Sequence, residues 1–468
     1  MAMLRSFREM LHEFRRSRSG GILVLFAFGM MTVISFIGFV VDLGNAMSIK
    51  GNLTAAADSA ALTALAQAQK ELAQNIPTAT ATSDAQIIGR QAFLASAGVK
   101  GGLLTQPVSV AVTRSAQTLT ATVAFTASSP NMFASILKIA AINLGNSVTA
   151  TLTMPQYLNF YLLLDVSGSM GIPSTNSEQT RLAAINPDYR TIYPGGCTIA
   201  CHFTAYQACT DKNGATSWCQ GYNLSRTAGT SATPVSFCPQ PGQANCIQLR
   251  IDAVAYAVQQ LMTTATSTQS LPNQFGVGLY PFIRWMEVYQ ALSTNLAAVS
   301  AAAAGLTGLI DNGAGAGTLG SGGTHFENAL TSINATISNV GDGASQSAPK
   351  PFVFLVTDGA QDNQYQYNNG SWSGSNNATT LDPSNCATLK NRGITVAVLY
   401  VPYVPIQNPT TIWNNEDGAA NANIPKIPPV LQACATSGFY FTASTPADIN
   451  TAMQAMFSMA VSSAHLTR

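Results

Sequence analysis

Five oxygen-bearing residues, dispersed along a chain of 468, have the types and contexts needed to hold a hard divalent cation. Asp165-Val166-Ser167-Gly168-Ser169 sets one carboxylate and two hydroxyls on alternate residues, directly after the apolar run Leu158 to Leu164. A run of that kind reads as a strand buried on both faces, so the motif is expected at a strand's carboxyl end. Ligands of open α/β sheets bind there. Gly322-Gly323-Thr324 adds a hydroxyl on a loop ahead of a helix, and Asp358-Gly359 adds a second carboxylate after the strand-like Phe352 to Thr357. An all-oxygen donor set favours Mg²⁺, which keeps waters and open positions for a partner's oxygen, with Ca²⁺ or Mn²⁺ as alternatives. A short Asp-x-Ser-x-Ser also caps helices, because both residue types satisfy free N–H groups. The later Thr324 and Asp358, in order and at suitable strand ends, favour the metal.

The elements that must position these residues follow from periodicity. Near-continuous apolar runs recur at Phe275 to Phe282, Pro351 to Thr357 and Ile394 to Val401. Helical spacing appears between them at Leu249 to Thr263, Phe326 to Ser338 and Asn385 to Asn391. Strands alternating with helices predict an α/β fold, a doubly wound, Rossmann-like parallel sheet. Leu296 to Ile310, mostly Ala and Gly, reads as a soluble helix and its loop. Two stretches interrupt the pattern: residues 171–247, which hold six of the eight cysteines, and residues 360–383, rich in Asn, Gln, Ser and Gly.

Asp-x-Ser-x-Ser after a buried strand, a later Gly-Gly-Thr and a Thr-Asp-Gly at a strand end resemble the metal-ion-dependent adhesion site of von Willebrand factor A domains. The resemblance covers about residues 157–445, omitting the cysteine-rich insertion. It implies Asp165, Ser167, Ser169, Thr324 and Asp358 as the ring around one divalent ion. It also implies a partner protein that offers a carboxylate to that ion.

Only 9% of the residues are charged while 47% are hydrophobic, and the apolar ones cluster once. Gly20 to Val41 contains no charge, and Ile22, Leu23, Val24, Leu25, Phe26, Phe36, Ile37, Phe39, Val40 and Val41 make it a membrane anchor. At helical rise the segment matches a bilayer core. Arg5, Arg8, Arg15, Arg16 and Arg18 precede it, and no basic residue follows until Lys50. The positive-inside bias predicts a cytoplasmic N-terminus and an exported remainder. The run passes straight into Asp42-Leu43-Gly44-Asn45-Ala46 with no small-x-small cleavage site, which favours an uncleaved anchor over a secretory signal.

Beyond the span, Asn45 to Gln74 reads as a helix continuing the anchor, ended by Pro77 and the Thr/Ala run to Ser83. A second helix is expected over Asp84 to Ser96, strands around Val108 to Val112 and Thr118 to Val123, a helix over Met132 to Ile139, and a strand over Ser147 to Thr153. Ser19-Gly20-Gly21-Ile22, the span, Val41-Asp42-Leu43-Gly44-Asn45, and Leu53 through Asp58-Ser59-Ala60-Ala61-Leu62 resemble the N-terminal anchor of TadE/TadG-like proteins. That resemblance implies the tight-adherence (Flp pilus) assembly system of bacteria. An anchor of this type joined to an A domain is the TadG-like arrangement. Pilins of the system carry a Glu at the fifth position after the processed Gly. Leu25 or Phe26 stands there, which favours a resident membrane protein over a pilus subunit.

All eight cysteines follow the span, which fits an oxidising periplasm. Cys197, Cys201, Cys209, Cys219, Cys238 and Cys246 lack the paired short spacings of zinc knuckles and are expected as three disulfides, whose order the sequence leaves open. Cys386 and Cys434 are expected to pair with each other. Of four histidines, His12 lies in the tail, His202 among the cysteines and His465 near the C-terminus. Only His325 adjoins the metal motif, where it could act as a general base for a metal-bound water. With no nucleophile elbow, P-loop or Cys/His pairing, a non-enzymatic role is favoured. A net charge of +1 without a basic tract beyond the tail gives no nucleic-acid partner.

The expected organisation is a cytoplasmic tail (1–19), an inner-membrane anchor (20–41), a periplasmic stalk with a small α/β module (42–154) and an A-like domain (155–468) with the insertion 171–247. The expected function is metal-dependent adhesion or assembly in the Flp pilus system, through a pilus or secretion-machinery partner. An envelope scaffold or signalling protein unrelated to pili, and a metal-dependent hydrolase using His325, are the alternatives.

Overall fold

The computed structural model describes residues 20–74, 76–115, 117–185, 207–210, 216–219, 237–244, 246–310, 318–320, 322–366, 372–373, 378–403 and 414–465. The basic tail with His12, and Cys197, Cys201 and His202, lie outside them. Two compact units divide the chain, Met1–Met154 and Pro155–Arg468.

In the first unit one helix, α1 (Gly20–Ala73), runs unbroken for 54 residues. From Val24 to Val41 its large apolar side chains are exposed, and the helix is long and apolar enough to cross a membrane. Past that run its character changes. Ala46, Ile49, Leu53, Ala57, Ala60, Ala64 and Ala68 form a buried stripe at helical spacing. α2 (Thr78–Ala97) packs on the stripe so closely that a Cβ at Gly89 would stand 3.0 Å from that of Ala64. The sheet β1 (Ser109–Ser115), β2 (Thr118–Pro130) and β3 (Ala141–Thr153) is antiparallel in that order. Alternate residues of β2, Leu119, Ala121, Val123, Phe125 and Ala127, are buried and share one core with the α1 stripe.

Two expectations fail here. The Thr/Ala run 78–83 forms the first turns of α2, with Pro77 as the cap residue, because Ala carries high helix propensity and Thr82 bonds back to the carbonyl of Thr78 at 2.9 Å. Residues 132–139 form only a 3₁₀ turn, Ala134–Leu137, in place of a helix. The backbone N–H groups of Met132, Phe133 and Ala134 are taken by the Asp42 carboxylate at 2.9, 2.9 and 2.7 Å, which pins the entry to the turn.

The second unit is the doubly wound sheet. Its strands are β4 (Leu158–Asp165), β5 (Phe275–Phe282), β6 (Gln290–Ser293), β7 (Lys350–Thr357), β8 (Thr395–Tyr400) and β9 (Tyr440–Thr442). Their order is β9-β8-β7-β4-β5-β6, all parallel except the edge strand β6. One face is covered by α3 (Arg250–Thr268), the helix Leu296–Ala303 and α7 (Pro446–His465). The other is covered by α4 (Phe326–Thr336), α5 (Ser384–Asn391) and α6 (Ile427–Cys434). Three layers with two cores result. β6, α6 and α7 were not anticipated: β6 is a half-buried four-residue edge and α6 is a short helix opening on prolines, whereas α7 does carry a signal, a Thr445-x-x-Asp448 capping box in which the two residues exchange N–H bonds at 3.0 and 3.2 Å.

Of the cysteine-rich insertion, the helix Asn176–Ile185 and a hairpin of Gln207–Thr210 with Thr216–Cys219 are described. Cys238 and Cys246 form one disulfide of that region. Cys386 and Cys434 are bonded as expected, joining α5 to α6 under the second core. A cross-link separated by 48 residues restricts the unfolded chain by about 4 kcal/mol in the chain-entropy account. The double variant Cys386→Ala/Cys434→Ala is therefore expected to lose about 2–4 kcal/mol of unfolding free energy. Urea denaturation of the full chain in detergent measures it; an unchanged midpoint would contradict the assignment.

Candidate metal centre

The chain leaves β4 for β5 on one side and later returns through β7 on the other. The carboxyl ends of β4 and β7 therefore flank the point where strand order reverses, the place where open sheets bind ligands. Asp165 ends β4 and Asp358 follows β7 directly. Both side chains are buried, with exposures of 1% and 0%.

Asp165 is held from both sides. Its Oδ1 accepts the N–H of Ser167 at 2.9 Å, and its Oδ2 accepts the hydroxyl of Thr357 at 2.6 Å. The Ser167 and Ser169 hydroxyls lie 3.4 Å apart on the turn that follows. Asp358 accepts the Ala360 N–H at 3.2 Å through Oδ1. Among the described residues its buried Oδ2 receives no hydrogen bond, and it faces Arg250 Nη1 at 3.7 Å. Arg250, at the start of α3, is drawn there by its own N–H to the carbonyl of Ile172 at 2.9 Å and by Nη2 to the carbonyl of Pro402 at 2.8 Å.

Thr324 reaches the same end of the sheet on another loop. Gly323 adopts φ +75°, and a side chain there would run into the carbonyls of Asp362 and Gln364. That close approach lets Thr324 and Asp362 exchange backbone hydrogen bonds at 3.1 and 3.3 Å, while the His325 N–H bonds the carbonyl of Ile283, just past β5, at 3.0 Å. Thr324 is 5% exposed. Asp165, Ser167, Ser169 and Asp358 thus form one cluster, and Thr324 stands on the adjoining loop.

Burial and the nearby charge of Asp358 push the Asp165 carboxyl up to about 7, against the hydrogen bonds from Ser167 and Thr357. Burial raises Asp358 as well, with the Arg250 guanidinium and a Ser169 hydrogen bond opposing. Two buried like charges at adjacent strand ends are costly without a cation. Among the described residues no three His, Cys, Asp or Glu side chains converge, so the remaining donors for an ion would be hydroxyls and water. That set, with an orphaned carboxylate oxygen, fits a hard divalent cation of the Mg²⁺ type.

His325 is committed elsewhere. Its Nδ1 lies 3.0 Å from Glu327 Oε1 and its Nε2 lies 3.0 Å from the carbonyl of Gln364. Burial lowers its pKa, yet these two acceptors outweigh that and raise it. Both ring nitrogens face acceptors, so the ring ties the Thr324 loop to residues 362–364 and has no lone pair directed at the cluster. Two members of the site were not apparent in the sequence. Thr357 stands in the Thr-Asp-Gly motif, where its hydrogen bond to Asp165 is not legible, and Arg250 is masked by the apolar helix it opens; a charge entering an otherwise apolar helical face is the available signal.

Residues 20–70 match the family model described as "Tad: Putative Flp pilus-assembly TadE/G-like". The N-terminal anchor is TadE/G-like. No curated protein sequence matches the chain significantly. Among solved structures, similarity is found to the pilus adhesin SpaC from Lactobacillus rhamnosus GG (13% identity, TM-score 0.34), covering 76% of this chain and 34% of that one. The chain thus spans about a third of SpaC. The vWF domain of the type V pili tip protein Mfa5 from Porphyromonas gingivalis is similar at 11% identity and TM-score 0.32, covering 68% and 98%. BatB from Bacteroides thetaiotaomicron is similar at 12% identity and TM-score 0.31, covering 64% and 99%. The strand order carries the fold assignment: the second unit is a doubly wound, mostly parallel α/β sheet, in a membrane-anchored chain with a TadE/G-like segment.

Arg250 is the only cation the site itself supplies among the described residues. Its replacement in Arg250→Met leaves Asp358 buried and uncompensated, which is expected to cost about 3–5 kcal/mol in the presence of chelator. Chemical denaturation measures that loss, and a cost below about 1 kcal/mol, the scale of an exposed pair, would show that Arg250 does not neutralise Asp358.

Proposed function

We propose that the chain is an inner-membrane-anchored adhesion or assembly component of the bacterial Flp pilus system. Its A domain would bind a partner protein through a divalent cation held by Asp165, Ser167, Ser169, Thr324 and Asp358. The observation that carries this is the pair of buried, mutually repelling carboxylates with one orphaned oxygen, at the switch point of an A-type sheet. A bound cation supplies an open coordination position for a carboxylate oxygen of the partner. The chain's own residues do the rest. Thr357 and the Ser167 N–H fix the rotamer of Asp165, the Ser169 hydroxyl steadies Asp358, and Arg250 offsets part of the acidic charge. The TadE/G-like segment supports the pilus context, and the basic residues ahead of the span support a cytoplasmic N-terminus with the A domain in the periplasm. A non-enzymatic role follows from the same reading, since His325 faces acceptors on both sides.

Mg²⁺ is expected to stabilise the full chain in detergent, by about 2.7 kcal/mol at a hundredfold excess over its Kd. Asp165→Ala and the milder Ser169→Ala should abolish or weaken the effect. In pull-downs of envelope proteins the native chain should retain partners in Mg²⁺ and release them in chelator. If Asp165→Ala in chelator captures the same proteins as the native chain in Mg²⁺, metal-dependent adhesion is wrong. A secretion ATPase, a prepilin peptidase and a small Flp pilin encoded nearby would distinguish the pilus role from that of an unrelated envelope scaffold.

A further inference from the structure

The turn between β2 and β3 carries side chains unlike those of an ordinary surface loop. Met132, Phe133, Ile136 and Ile139 are exposed by 79, 41, 72 and 48%, within a single stretch of eight residues. A water-facing connection of that composition is unusual. Its place in the first unit gives a reason. The Asp42 carboxylate, one residue past the apolar span, accepts the N–H groups of Met132, Phe133 and Ala134. Phe133 reaches further: a Cβ on Gly38 would collide with its ring and Cβ, so glycine at that position lets the ring lie against the helix. Gly38 is four residues inside the apolar run, about 6 Å below Asp42 along the helix axis. The tip of the hairpin is therefore fastened at the depth where the span ends.

The backbone of the turn is also prepared for a medium without water. The N–H groups of Met132, Phe133 and Ala134 go to Asp42. Those of Asn131, Ile136, Lys138 and Ile139 go to the carbonyls of Ala140, Phe133, Ser135 and Ala134 at 3.0 to 3.1 Å. The Asn131 side-chain amide and the Ser135 hydroxyl take two further carbonyls, of Ile139 and Met132. Irregular backbone exposed to lipid is excluded from the hydrocarbon core, so a turn of this kind belongs at its interfacial edge, where internally satisfied N–H groups lower the cost of leaving water while the side chains reach further in. Lys138, exposed and in the left-handed conformation that ends the 3₁₀ turn, has a stem long enough to bring its ammonium to headgroup level.

We propose that residues 131–139 are a second membrane contact. The turn would insert Met132, Phe133, Ile136 and Ile139 into the leaflet on the side of residues 42–154, in the bilayer that α1 crosses, with Asp42 as the latch. The occupant of this apolar surface is phospholipid. Two attachments, one spanning and one interfacial, would restrict tilt and rotation of the unit on the membrane, which a lone helix does not.

The test is tryptophan quenching in the full chain, reconstituted in vesicles of phosphatidylcholine brominated near the headgroup end of its acyl chains. Ile136→Trp is tolerated by its exposure, and Phe36→Trp in the span sets full quenching. Leu62→Trp, exposed on the same helix about 30 Å beyond Asp42, sets the aqueous level. The native chain, whose four tryptophans lie outside this unit, supplies the background. Ile136→Trp is expected to shift to the blue and lose intensity in brominated relative to unbrominated vesicles, well beyond Leu62→Trp, and adding Asp42→Ala should reduce that loss. Quenching at Ile136→Trp no greater than at Leu62→Trp overturns the proposal and leaves a protein partner as the cover. Lack of quenching at Phe36→Trp removes the bilayer itself, and the proposal with it.

Discussion

Two carboxylates that cannot both be comfortable in a protein interior set the terms for the second unit. Asp165 and Asp358 lie 193 positions apart in sequence and meet because β4 and β7 are hydrogen-bonded neighbours, in register from Leu158 and Lys350 to Leu164 and Val356. Each buried charge would be expensive alone. The structure meets the cost with the Thr357 hydroxyl, the Ser167 and Ala360 N–H groups, and the Arg250 guanidinium. These come from a strand end, two turns and a helix start, so the sheet order, the turn geometry and the placement of α3 answer to the same electrostatic demand.

The first unit contains an instructive contrast. Asp42 is also buried and also close to an apolar run, but three backbone N–H groups saturate it. A carboxylate met by that many donors is a structural clamp: its charge is spent on holding the β2–β3 turn against α1. Asp358 differs because one oxygen is left without a donor and its nearest cation stops at 3.7 Å, beyond hydrogen-bonding range. Satisfaction, more than burial, separates the acid that holds the fold from the acid that is open to a ligand.

The same distinction explains what the sequence disclosed. Strands β4, β5, β7 and β8 were legible because burial on both faces removes alternation and leaves continuous apolar runs. The Asp-x-Ser-x-Ser turn was legible because its spacing is local. Thr357 and Arg250 were not, since their partners, Asp165 and Asp358, lie 192 and 108 positions away and no periodicity encodes such a pairing. The turn at 132–139 was misjudged for a related reason. Its helical spacing of Met132, Ile136 and Ile139 is genuine, but Asp42, 90 positions earlier, captures the N–H groups at its start and limits it to one 3₁₀ turn. The disulfide of Cys386 and Cys434 could be anticipated because only two cysteines lay outside the insertion, whereas the pairing of Cys238 with Cys246 was one of several possibilities.

Arg250 also bears on which partner the proposed site would prefer. With both aspartates ionised, the guanidinium leaves the pocket one net negative charge, and a divalent cation would turn this to one net positive charge. An incoming carboxylate then neutralises the pocket, while a neutral carbonyl does not, and in a buried site that difference is large. Without Arg250 the two aspartates and the ion would already cancel, and the incentive to recruit an acid would be weaker. On the proposed reading the guanidinium would trade some affinity for the metal against discrimination in favour of an anionic partner, a balance consistent with its stopping short of a direct hydrogen bond to Asp358.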